Sequence, residues 1–125
     1  MATLELTTDN IVDTINNNDF VVIDFWAPWC GPCKSFGPVY EATSEKNPNI
    51  VFAKVNTEDQ QELGAQFNIR SIPTLMIFRE QIVLYSEAGA LPAAQFEELI
   101  SKAGELDMAE VKKQIEEEQA ASAQA

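Results

Sequence analysis

Phe20-Val21-Val22-Ile23-Asp24-Phe25-Trp26-Ala27-Pro28-Trp29-Cys30-Gly31-Pro32-Cys33 is the stretch that decides the fold. Phe20 to Trp26 is apolar except for Asp24, rich in β-formers and too short for an independent helix. It reads as a strand buried on both faces, as in a parallel sheet. It leads into both cysteines of the chain, which are separated by two residues; the sequence has no histidine. Pro32 suits the first turn of a helix, where its missing N–H costs nothing. Cys30 then falls at or just before the helix N-terminus, where unpaired N–H groups and the macrodipole favour negative charge. A thiol held there ionises more easily, and the thiolate is the form that attacks disulfides. Cys33 lies one turn or less further in, more shielded, and able to attack the bond that Cys30 makes.

Other readings of the pair are weaker. Structural zinc usually takes four Cys or His ligands. Two sulfurs and no imidazole would need a dimer to supply them, so no metal is expected. A purely stabilising disulfide is also disfavoured, because closing so short a loop removes little unfolded-state entropy.

The chain has 125 residues, enough for one domain with a single core. No run of apolar residues is long enough to span a membrane. The N-terminal Met1-Ala2-Thr3-Leu4-Glu5-Leu6 has neither the basic region nor the apolar region of a secretory signal. Both features point to a reducing, cytoplasmic setting, where a CxxC is more often catalytic than structural. The formal net charge of −12 argues against nucleic acid and anionic membrane surfaces as partners.

Outward from the quoted stretch, the chain order reads strand, helix, strand, helix, strand, helix, hairpin, helix. Thr8 is the expected cap of a first helix carrying Ile11, Val12 and Ile15, which Asn16-Asn17-Asn18-Asp19 ends. A second helix runs from about Pro32 to Lys46, with Cys33, Phe36, Tyr40 and Thr43 along one side and Pro38 expected to kink it. Ile50 to Asn56 is a second buried strand, and Glu58 to Phe67 a short helix. Thr74 to Arg79 and Ile82 to Ser86 form a hairpin around Glu80-Gln81, a turn lacking the Gly or Asn that positive φ favours. Pro92 to Lys102 is the last core helix, with Phe96, Leu99 and Ile100 inward. The alternation predicts an α/β fold, a mixed sheet with helices on both faces. After Gly104 the composition shifts: residues 1–104 read as the domain and 105–125 as an acidic extension. Its helix spans Glu105 to Gln119, with an apolar stripe of Met108, Val111 and Ile115 and a frayed end from Ala120. The stripe either docks on the domain's own surface or pairs with another chain; docking is favoured, since coiled coils sustain the pattern for longer.

Alternation along the strand puts Val22, Asp24 and Trp26 on one face. If helices cover that face, Asp24 is a buried carboxyl with a raised pKa. Such a group, six residues before Cys30, could take the proton of Cys33 as that thiol becomes a nucleophile. Lys54, the odd residue in Val51-Phe52-Ala53-Lys54-Val55-Asn56, could approach Asp24 and modulate its charge. Alternatively both lie at strand ends with their tips in water. Pro73 is either a simple strand-entry residue or a cis bond, and the residues alone do not choose.

These residues resemble the thioredoxin family. The matching runs are Asp24 to Lys34, Ala53 to Asn56, Ile69 to Leu75, and Gly89-Ala90, in family order across residues 3 to 103. The resemblance implies the thioredoxin fold, with Cys30 the exposed nucleophile, Cys33 the resolving thiol and a Cys30–Cys33 redox disulfide. It implies that Asp24 is the buried proton acceptor with Lys54 near it, and that Pro73 is a cis-proline facing the disulfide. It also implies a shallow substrate groove of Trp29, Gly31, Pro32, Ile72, Pro73, Gly89 and Ala90. The implied activity is protein-disulfide reduction on disulfide-containing proteins, as an electron-transport step in cell redox homeostasis. A thioredoxin reductase using NADPH and flavin (FAD) would recycle a monomer that binds no cofactor itself. Gln81, Pro92 and the segment after Gly104 depart from the family pattern. The Gly-Pro insert favours the reducing direction, and an oxidase, an isomerase or a non-catalytic binding subunit on the same fold are the alternatives.

Overall fold

The computed structural model describes residues 3–124. The elements are β1 (Thr3–Glu5), α1 (Ile11–Asn16), β2 (Phe20–Trp26), α2 (Gly31–Lys46), β3 (Val51–Asn56), α3 (Gln61–Gln66), β4 (Thr74–Arg79), β5 (Ile82–Ala88), α4 (Ala93–Glu105) and α5 (Met108–Gln124). The strands form one five-stranded sheet in the order β1-β3-β2-β4-β5. β3 is parallel to both β1 and β2, while β4 is antiparallel to β2 and β5. The mixed sheet expected from the element order is present, and β1 is its opening strand.

β2 is the axis. Val21, Ile23 and Phe25 point to one face and pack with Ile11 of α1 and Leu63 of α3. Val22 points to the other and packs with Phe36 and Tyr40 of α2 and with Phe96 and Ile100 of α4. Both faces are therefore covered, which is why the strand is apolar almost throughout. The aromatic centre of the second face is Tyr40, whose ring lies 5.5 to 5.7 Å from those of Phe36, Phe52 and Phe96. α2 passes through Pro38 as one continuous helix, with Cys33, Phe36, Tyr40 and Thr43 all on its buried side.

Element starts differ from expectation where side chains bond to the backbone. Asn10, rather than Thr8, is the N-cap of α1. Its amide is turned outward, accepting from the Thr7 N–H and donating to the Glu5 carbonyl, so it gives the helix no side-chain cap. α3 begins at Gln61 instead of Glu58 because Asn56 Oδ1 accepts from the Glu58 N–H and holds that segment as a turn. β3 starts at Val51 and β5 extends to Ala88. α4 runs on to Glu105, and Leu106 is extended, so α5 starts afresh with Asp107 Oδ1 accepting from the Ala109 and Glu110 N–H groups. The helix runs past Gln119 to Gln124, and residue 125 lies outside the described residues.

α5 docks on its own chain. Met108 is buried, Val111 and Ile115 are half-buried, and Lys112 pairs with Glu80 at 2.7 Å. Glu80 and Gln81 both have positive φ, 49° and 67°. The strands thus close through a two-residue turn of the primed kind, built from residues that pay for left-handed backbone. Gln81 offsets part of that strain by donating from Nε2 towards the carbonyls of Ile15 and Asn16, at 3.3 and 3.4 Å. Gln81→Gly is expected to raise stability by about 0.5–1 kcal/mol in chemical denaturation, since relief of strain exceeds the added unfolded-state freedom. A loss of stability would mean that the amide contacts outweigh the strain.

Candidate active site

The loop after β2 delivers Cys30 to the N-cap position of α2, with Pro32 in the first turn. The Cys30 backbone is extended, and its Sγ accepts from the Cys33 N–H at 3.2 Å. That is one of the N–H groups a helix leaves unpaired at its start. Cys30 and Cys33 are joined by a disulfide, with Cα atoms 5.2 Å apart. The same N–H aimed at Sγ, together with the helix dipole, stabilises negative charge on that sulfur once the bond is open.

The family resemblance implies an exposed Cys30. It is 5% exposed, close to the 4% of Cys33. Ala27 and both cysteines pack together beneath Trp26 and Ile72, so apolar neighbours cover the outer sulfur as well. The distinction between the two is one of hydrogen bonding and helix position, not of accessible area.

Asp24 is buried on the α2 side of the sheet. Its Oδ1 has no hydrogen-bond partner among the described residues. Burial pushes its carboxyl up from 3.8 to about 7, with the Lys54 charge pulling the other way. Lys54 is its register partner on β3, yet no ion pair within 4.0 Å joins them among the described residues. The Lys54 ammonium instead lies over the Trp26 ring, 4.6 Å from its centroid. Tyr40 shares the environment: burial first and then the Asp24 charge hold its phenol well above the ordinary value.

The groove residues are spread over three segments. Trp29 is 67% exposed, and Gly31 and Pro32 stand exposed on the first turn of α2. The Ile72 carbonyl oxygen lies 3.8 Å from Cys30 Sγ. The Ile72–Pro73 bond is cis, and Pro73 is buried. Gly89 N–H donates to the Pro73 carbonyl at 2.8 Å, from a φ of 114° that suits glycine, and brings the exposed Gly89-Ala90 beside that loop. Trp29 and Ile72 also line a depression of about 400 Å³ that runs towards α3. A larger cavity, about 830 Å³, lies at the opposite end of β2 near Phe20 and holds neither cysteine. No group of metal-ligating residues occurs among the described residues. Two residues at the site carry no role that the sequence assigns. Trp26 covers the disulfide, which its place on the Asp24 face could have signalled, and Arg70 lines the depression, for which the sequence carries no signal.

A mixed sheet that presents a CxxC pair at a helix N-terminus, with a buried carboxyl on the strand that leads into it, defines a thiol–disulfide oxidoreductase. The comparisons agree. The model of the Thioredoxin family matches residues 2–102, and the chain belongs to that family. It is 56% identical over 119 residues to the Streptomyces coelicolor protein named "Putative thioredoxin 2", covering 95% of this chain and 89% of that one. It is 40% identical over 89 residues to a thioredoxin of Haemophilus influenzae, 70% of this chain and 83% of the other. A structure of Plasmodium falciparum thioredoxin superposes with a TM-score of 0.74 at 32% identity, over 79% of this chain and 97% of that one. No described helix is long and apolar enough to cross a membrane.

The buried carboxyl links protonation to stability. Between the unfolded value of 3.8 and the folded value near 7, the native state holds the extra proton, so raising pH across that window destabilises the fold. Asp24→Asn is expected to be more stable than the parent at pH 8, by up to about 4 kcal/mol, and to lose that advantage by pH 4. Denaturant titrations at the two pH values check this; an advantage equal at both would remove the coupling.

Proposed function

We propose that this protein is a protein-disulfide reductase in which Cys30 attacks and Cys33 resolves. The observation that carries the reading is the Cys33 N–H directed at Cys30 Sγ at the start of α2, a donor available to one sulfur and not the other. The Cys30 thiolate attacks one sulfur of a substrate disulfide, forming a mixed disulfide and expelling the first substrate thiolate. Cys33, its proton taken by the Asp24 carboxylate, then attacks Cys30 Sγ and expels the second. Two electrons pass to the substrate and the Cys30–Cys33 bond reforms. Asp24 with a pKa near neutrality is matched to that proton transfer. Lys54, within Coulombic reach, lowers the cost of the charge that Asp24 holds before the transfer.

Substrate polypeptide lies along Trp29, Gly31, Pro32, Ile72, Pro73, Gly89 and Ala90, where backbone and apolar side chains meet the sulfur. The family supports a thioredoxin reductase, working with NADPH and FAD, as the partner that reopens the disulfide, and a cytoplasmic role in redox homeostasis. We assign residues 1–104 to the catalytic domain, residues 105–125 to an extension, and the active form to a monomer. α5 covers its own apolar residues in support of that state.

Cys33→Ser is expected to accumulate mixed disulfides between Cys30 and protein substrates, detected by non-reducing electrophoresis and mass spectrometry, while Cys30→Ser forms none. Asp24→Asn is expected to slow the resolving step at least about tenfold more than the first attack in rapid-mixing measurements at pH 7. Adducts on Cys33 in the Cys30→Ser variant would reverse the two roles.

A further inference from the structure

The eight Lys and Arg side chains of this acidic chain are mostly engaged. Lys46, Lys102 and Lys112 pair with Glu97, Glu98 and Glu80. Arg79 donates to the Ala103 and Gly104 carbonyls at the end of α4, and Lys54 lies over Trp26. Among the described residues that leaves the side chains of Lys34, Arg70 and Lys113 with neither an ion pair nor a hydrogen bond. Lys113 is exposed on α5, and Lys34 stands on the first turn of α2 outside the depression. Arg70 is exposed on the wall of the depression, together with Trp29, Ile69 and Ile72.

The position matters because two residues of the depression, Trp29 and Ile72, flank Cys30. Trp29 precedes Cys30 in the chain, and the Ile72 carbonyl lies 3.8 Å from Cys30 Sγ. A polypeptide that brings its disulfide to Cys30 therefore lays a flanking side chain here, against a mainly apolar wall with one unpaired guanidinium at its edge.

We propose that Arg70 is a specificity-determining residue that pairs with an Asp or Glu close in sequence to the disulfide of the substrate protein, while an apolar neighbour of that acid fills the depression between Trp29 and Ile72. This rests on the reductase reading above. Whole-molecule charge works against acidic partners, since the chain carries −12. At physiological salt, however, screening over about 8 Å confines that repulsion, and the unpaired guanidinium decides at contact.

The test uses three synthetic disulfide peptides, identical except for Glu, Gln or Lys at positions within three residues of the cysteine. Dithiothreitol recycles the full-length protein, and kcat/KM is measured above the uncatalysed background. The parent protein is expected to favour the Glu peptide over the Lys peptide by about two- to fivefold, the span of a partly exposed ion pair. Arg70→Gln is expected to abolish the preference and Arg70→Glu to reverse it. Lys113→Gln, which makes the same change in net charge far from the depression, is expected to keep it. Retention of the preference in Arg70→Gln, or an equal loss in Lys113→Gln, overturns the proposal. Equal rates for all three peptides with the parent protein overturn it alone. A Gln peptide left unreduced overturns the reductase reading and this inference with it.

Discussion

The Tyr40 hydroxyl sets the height of the active-site helix on the sheet. Its oxygen lies 2.6 Å from the Ala53 carbonyl and 2.9 Å from the Val22 carbonyl, so one buried proton is shared between neighbouring strands. The ring around it is held by Phe36, Phe52 and Phe96. A hydroxyl this buried has no water to fall back on, so α2 cannot slide along β2 and β3 without leaving polar groups unpaired. Cys30 and Cys33 lie at the N-terminal end of that same helix. Asp24 and Lys54 each lie beyond those two carbonyls on the same strands, so the dithiol, the carboxyl and the ammonium share one frame.

Within that frame the protein keeps a carboxyl that weakens it. Asp24 is buried and its Oδ1 has no partner among the described residues, which is a poor arrangement for stability; the proposed mechanism turns the raised pKa into a means of moving a proton near neutral pH. Lys54 moderates the cost without removing it. Its ammonium sits over Trp26, and no ion pair joins it to Asp24 among the described residues. A tight ion pair would hold the carboxylate charged and lower its pKa.

The fold is legible in the sequence where burial alone decides. The bounds of β2 and β4 and the inward face of α2 follow from apolar residues recurring at the period of each element. It is less legible at starts and turns. The first turn of α1, the delayed start of α3 and the break before α5 depend on where the side chains of Asn10, Asn56 and Asp107 bond to the backbone. The Glu80-Gln81 turn has no glycine to announce it; contacts from α1 and α5 hold it instead.

What the sequence determined by itself was the chemistry: two thiols separated by two residues, a proline that starts a helix between them, and an acid inside a strand that has no surface. Those are local facts of spacing and side-chain type. Tertiary structure decided how they meet. Packing of Trp26 and Ile72 against the cysteines leaves both residues nearly equal in exposure, with the helix N–H to distinguish them. Which cations stay unpaired, and that one of them borders the depression beside the disulfide, depended on partners up to 51 residues away in the chain. No reading of local pattern holds that information, because long-range pairing is settled only when the sheet brings the segments together.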